Sequence, residues 1–113
     1  MSKKIVSLTK NQDFKNLLGG KKISNKYFTV FFKELLNKSK NKLYISFVAK
    51  KKLGNAVKRN KIKRRLKNIM NDTIKKIYFN MNYSYLVIAK ETVLKGEYDN
   101  IKKTFLKDFK KIK

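Results

Sequence analysis

Apolar positions along this chain fall into two rhythms, one helical and one alternating. Phe14, Leu17 and Leu18 stand at i, i+3 and i+4, a single helical stripe. Ahead of them Thr9-Lys10-Asn11-Gln12 reads as a capping box, in which the Thr9 hydroxyl and the Gln12 amide satisfy free backbone N–H groups. Gly19-Gly20 closes that helix. Residues 27–32 (Tyr27-Phe28-Thr29-Val30-Phe31-Phe32) and 43–49 (Leu43-Tyr44-Ile45-Ser46-Phe47-Val48-Ala49) are aromatic and β-branched, which predicts strands. The polar stretch 37–42 between them suits a hairpin loop. Residues 83–89 are so continuously apolar that they predict a strand inside the sheet, and Ile23 with its neighbours predicts a short edge strand. Two longer helices follow from 3.6-residue periodicity. One runs from Ala56 to about Tyr78 on Ile62, Leu66, Ile69, Met70, Thr73 and Ile77; the other runs from about Lys95 to Ile112 on Tyr98, Ile101, Phe105, Phe109 and Ile112. Helix, two or three strands, helix, strand, helix is the order of an α+β sandwich with helices mainly on one side of the sheet. If the strands flanking the middle helix are parallel, that helix is their crossover.

Composition limits the chain to one such unit. At 113 residues, with 42% apolar content and fourteen Phe and Tyr, a single domain over residues 1–113 has material for one core. No apolar run reaches the roughly 18 to 20 residues of a membrane span. Residues 1–7 lack the apolar stretch of a secretory signal, and there is no Cys for a disulfide or a thiolate site. The cytoplasm is the expected address.

Charge then selects the partner. Lys and Arg total 31 against seven acids, a net charge of +24, which destabilises a compact state unless a polyanion screens it. Residues 1–34 carry +6 and residues 72–113 carry +5, but residues 35–71 carry thirteen cations and no acid. A merely solvated face mixes signs; this one does not, which points to nucleic acid. An anionic membrane surface is the second polyanion, but neither a long helix with exposed large apolars nor a lipidation signal is present.

Within that window, residues 49–67 read as a strand end, a tight turn at Gly54, an N-cap at Asn55 and the opening turns of a helix. A helix N-terminus is already an anion site. Lys50, Lys51 and Lys52 before it and Lys58 and Arg59 after it add full charges. With Ile62, Leu66, Ile69 and Thr73 turned to the core, Asn60, Arg64 and Lys67 point the opposite way, an outward ridge matched to a phosphate backbone. All three arginines of the chain (Arg59, Arg64, Arg65) lie within seven residues, against 28 lysines spread throughout. Such clustering is expected where the planar guanidinium fork is needed and an ammonium will not serve.

The run Lys58-Arg59-Asn60-Lys61-Ile62-Lys63-Arg64-Arg65-Leu66-Lys67, preceded by Val48-Ala49-Lys50-Lys51 and Gly54-Asn55-Ala56-Val57, resembles the signature of the bacterial ribonuclease P protein family. The hallmark of that family is Arg-Asn-Arg followed by Ile-Lys-Arg. Here Lys61 stands for the third member of the first triplet and Lys67 for another common Arg, keeping charge but losing the fork. Leu8 through Phe14 resembles the family's N-terminal Leu…Asp-Phe element, and Ile88-Ala89-Lys90 its late strand, with Lys90 in place of Arg.

The resemblance implies a single α-β sandwich in the order α-β-β-β-α-β-α. Its mixed four-stranded sheet would have a left-handed βαβ crossover, a topology shared with the second domain of a small-subunit ribosomal protein. It also implies a protein subunit of the ribonucleoprotein that removes the 5′ leader of precursor tRNA. Lys50, Lys51, Lys52, Asn55, Lys58, Arg59, Asn60, Lys61, Lys63, Arg64, Arg65 and Lys67 would meet the RNA subunit. Phe14 and Leu18 of the first helix, Thr29 and Phe31 on one strand face, and Lys90 would line a cleft for the leader. From the residues alone, aromatics among lysines make a stacking platform for single strands, while Phe14 serves equally well as core beside Leu17.

Side-chain chemistry for hydrolysis is absent. There is no His, and the acids Asp13, Glu34, Asp72, Glu91, Glu97, Asp99 and Asp108 are scattered. Glu97 and Asp99 are two apart, on different sides of a helix. No catalytic residue and no protein metal site are therefore expected. The resemblance places Mg²⁺ on the RNA subunit and substrate, with no membrane and no protein partner required. A ribosomal RNA-binding protein would share the charge but not the Gly-Asn-Ala-Val…Arg-Asn run. A DNA reader would need a helix-turn-helix partner, zinc ligands or heptads, none of which is present.

Overall fold

The computed structural model describes residues 4–8, 10–35, 38–39, 41–77 and 79–112. Their elements run β1 (Lys4–Val6), α1 (Asn11–Leu18), β2 (Lys21–Ser24), β3 (Phe28–Glu34), β4 (Lys42–Val48), a 3₁₀ turn (Lys51–Leu53), α2 (Ala56–Thr73), β5 (Tyr83–Ala89), α3 (Thr92–Lys95) and α4 (Tyr98–Lys110). The strands form one mixed sheet in the order β1-β4-β5-β3-β2. β1 with β4 and β4 with β5 are parallel, and β5 with β3 and β3 with β2 antiparallel. The helix α2 connects the parallel neighbours β4 and β5, so it is the crossover. No helix among the described residues is long and apolar enough to cross a membrane.

Alternation along the strands sends successive side chains to opposite faces. One face carries Phe28, Val30 and Phe32 of β3, Leu43, Ile45 and Phe47 of β4, and Tyr85, Val87 and Ala89 of β5. It is sealed by Ile62, Leu66 and Ile69 of α2 and by Ile101, Phe105 and Phe109 of α4. Full burial of such side chains contributes about 1.5–3 kcal/mol each. Phe105 and Phe109 stack with ring centroids 4.4 Å apart, and Phe28 and Phe79 close around them. The opposite face holds a smaller cluster of Leu8, Leu17, Leu35 and Leu86 under α1.

The structure corrects several expectations. Among the described residues the sheet has five strands, because Lys4–Val6 adds a parallel edge to β4; three residues are too few to show a period. β3 and β4 do not form a hairpin, since β5 lies between them, and Asn37 and Lys40 of their connection lie outside the described residues. Of the expected box cap of α1, Thr9 lies outside the described residues; Lys10 is the N-cap without a side-chain bond, and the Gln12 amide donates forward to Asn16. α2 ends at Thr73, not near Tyr78, which is itself outside the described residues. Asn71, Asp72 and Thr73 are poor helix formers, and the Thr73 hydroxyl donates to the Met70 carbonyl, competing with the helix ladder. The C-terminal helix is two helices broken at Gly96. A Cβ there would stand 2.7 Å from the Tyr27 ring, so that close approach requires glycine.

Candidate nucleic-acid interface

The interface starts where β4 runs out at Val48. Lys50, Lys51 and Lys52 are exposed around the 3₁₀ turn, and Gly54 reverses the chain at φ 138°, a conformation that side chains rarely tolerate. Asn55 then caps α2 as its sequence position predicts, its Oδ1 accepting from the Lys58 N–H at 2.9 Å. The first turn of α2 also exposes Val57, at 64%.

Beyond the cap, the buried stripe Ile62, Leu66, Ile69, Met70 and Thr73 orients the helix. Asn60, Lys61, Arg64 and Lys67 face solvent and Lys63 is half-buried. Asn60, Lys63, Arg64 and Lys67 together line a shallow depression of about 250 Å³. Lys58 stands 3.5 Å from Glu91, an exposed pair worth at most about 1 kcal/mol that leaves its ammonium available. Arg59 is half-buried, and its Nε is enclosed without a hydrogen-bond partner among the described residues.

Arg65 behaves differently from its neighbours. Its Nη2 donates to the Gly96 carbonyl at 2.8 Å and its guanidinium lies 5.7 Å from the centroid of the Tyr98 ring. The Tyr98 hydroxyl donates in turn to Asp72 Oδ2. Burial first, then the hydrogen bond to Asp72 and that carboxylate's charge, push the Tyr98 phenol up to about 12, against the opposing influence of Arg65. The fork of Arg65 is thus spent on clamping α2 to the start of α4, and the structure does not bring it to the ridge with Arg64.

The residues expected to meet a single strand lie on the other face of the sheet. Phe14, Phe31, Tyr44, Val48 and Ile88 are half-buried there around the Leu17–Leu86 cluster. Thr29 is half-buried beside them, paired in register with Ile88, and its hydroxyl is 2.9 Å from that of Ser24. Phe14 is neither wholly core nor wholly free, and Leu18, one turn on, is 50% exposed. Lys90 sits at the end of this face, where its ammonium donates to Ser24 Oγ and to the Asn25 carbonyl, pinning the β2–β3 turn. At the other end Lys38 closes on Asp13 at 2.9 Å and lies over the Tyr44 ring.

The acids are engaged with other side chains or scattered. Besides Asp13, Glu91 and Asp72, Asp108 is buried and accepts from the Asn25 amide at 2.7 Å. No group of three or more His, Cys, Asp or Glu able to hold a metal occurs among the described residues. Sequence reasoning missed Asn71, which prolongs the Asn60–Arg64–Lys67 ridge by one more i+4 step and is exposed; the spacing could have found it, but the absence of charge concealed it.

Comparison with known proteins matches residues 2–113 to the family model for Ribonuclease P. The Ribonuclease P protein component of Fusobacterium nucleatum is 37% identical over 116 residues, covering 95% of this chain and 96% of that one. The protein of the same name from Mycoplasma mycoides is 31% identical over 107 residues, covering 94% of each. Among solved structures, the RNase P protein from Thermotoga maritima superposes with a TM-score of 0.77 at 25% identity, covering 96% of this chain and 98% of that one. An RNase P protein from Staphylococcus aureus gives 0.72 at 27% identity, covering 94% and 93%.

Proposed function

The chain belongs to the ribonuclease P protein family and is a protein component of that tRNA-processing enzyme, and from this premise we propose how its two surfaces divide the work. The ridge of Asn60, Lys61, Lys63, Arg64 and Lys67, with Lys50, Lys51, Lys52, Asn55, Lys58 and Arg59 at its head, grips the RNA subunit. The observation that carries this reading is the acid-free outward face of α2, held in place by a buried apolar stripe on its other side. Phosphate contacts of this kind position a protein on folded RNA without reading sequence.

The half-covered sheet face around Phe14, Phe31, Thr29 and Ile88, with Leu18 and Lys90 at its margins, takes the single-stranded 5′ leader of the precursor. Half-buried rings beside cations suit base stacking, worth about 1–3 kcal/mol per base. Binding the leader would raise affinity for precursor above that for mature tRNA. The described residues offer no ligand set for a divalent ion, so we place Mg²⁺ on the RNA subunit and substrate phosphates. The protein's part is to lower the charge density around them. Hydrolysis belongs to the RNA subunit.

Reconstitution tests this reading. Added to a bacterial ribonuclease P RNA at low Mg²⁺, the protein should restore leader removal from a tRNA precursor, and without RNA it should cut nothing. Cleavage by the RNA-free protein, or no stimulation at any Mg²⁺ concentration, would overturn it.

A further inference from the structure

Between β1 and α2 the edge of the sheet leaves a recess of about 260 Å³, bordered by Ile5, Ser7, Phe47, Lys67, Met70 and Asn71. Its floor is apolar: Phe47 and Met70 belong to the main core and are 9% and 3% exposed. Its mouth is polar, because Ser7 and Asn71 are exposed and their side chains make no hydrogen bond among the described residues. Lys67 borders both this recess and the basic depression formed with Asn60, Lys63 and Arg64. A polyanion following the ridge therefore passes directly over the opening.

We propose that the recess receives one unpaired purine base of the RNA subunit, adenine by preference, while Lys67 holds the adjoining phosphate. This rests on the reading of the α2 ridge as the RNA-subunit interface and gives that interface a base-reading element. Size favours a single base, since the volume falls below the roughly 300 to 1,000 Å³ of pockets that enclose drug-sized ligands. The chemistry fits too: an apolar floor accepts the ring faces, and a carboxamide offers one donor and one acceptor side by side. That pair complements the N6 donor and N7 acceptor of adenine, and guanine presents two acceptors there instead. The surrounding field is positive, which suits a nucleotide and disfavours a basic peptide.

The test measures binding to a bacterial ribonuclease P RNA across a salt series, together with a chemical footprint of that RNA. Asn71→Ala removes the reading group from an exposed position, and Ser7→Trp fills the mouth. Each should weaken binding by about 5- to 30-fold at an unchanged salt slope. In each, an adenine N7 protected by the wild-type protein should regain reactivity towards diethyl pyrocarbonate. Wild-type affinity and footprint in both variants would refute the recess. So would a flattened slope with Asn71→Ala, since that marks a phosphate contact. The ridge reading is judged separately by Arg64→Ala with Lys67→Ala: a normal loss of slope there, with silent recess variants, would sink the base site alone.

Discussion

On the sheet face that carries α2 and α4, the side chains of β3, β4 and β5 are buried almost completely. On the face under α1 the same strands leave Phe31, Tyr44, Val48 and Ile88 half-buried. The difference is one of coverage. α1 has eight residues and is about 12 Å long, laid across β3 and β5, whereas five strands at about 4.8 Å spacing span roughly 19 Å. The long helices that close one face are also the ones that present cations to solvent, so the buried stripe that stabilises the fold and the ridge proposed to meet RNA lie on opposite sides of α2. The open face keeps apolar surface that folding did not use. Changes on the closed face should therefore cost stability, and changes on the open face should cost ligand.

The largest effect is expected on the closed face. Phe105→Ala, in the centre of the stacked rings, should lower unfolding free energy by about 3–5 kcal/mol, read by urea denaturation. RNA affinity should fall only as far as the folded fraction does. Next comes the open face. Phe31→Ala should leave the melting temperature nearly unchanged while lowering affinity for a tRNA precursor by about 1–3 kcal/mol, with mature tRNA bound as before. Equal losses on precursor and product would erase the distinction between the faces.

The neighbouring arginines sharpen the contrast within one helix. Arg64→Gln should flatten the salt dependence of RNA binding by roughly one unit of slope with little change in stability. Arg65→Gln should do the reverse, destabilising the α2–α4 contact and leaving the slope alone. The smallest effect belongs to Tyr98. Its phenol is raised in the folded protein from 10.0 to about 12, so its contribution is complete below about pH 10 and is lost as pH rises through 12. Tyr98→Phe should cost about 1 kcal/mol or less at neutral pH, and should flatten the decline in stability above pH 10 expected of the wild type.

Much of this was legible in the chain, for reasons that can be named. The unbroken apolar run of β5 required burial on both faces, and β5 is the central strand. Gly54 followed by Asn55 marked the head of α2, and both play those parts. The alternation of β3 and β4 told which side chains share a face but carries no information about which strand lies next door, so the insertion of β5 between them was invisible. Arg65 was misleading because charge suggested solvent. Yet it lies only about 60° from Ile62 on the helical wheel, at the margin of the buried stripe, and its partners Gly96 and Tyr98 are more than thirty residues away. The recess beside Asn71 needed β1, and three residues gave no pattern from which to expect a strand.

The most direct measurement is the salt dependence of binding between this protein and a ribonuclease P RNA, wild type against Arg64→Ala with Lys67→Ala. Loss of two phosphate contacts should reduce the slope of log affinity against log salt by about two units, with the melting temperature unchanged. An identical slope for the two proteins would contradict the assignment of the outward face of α2 to RNA.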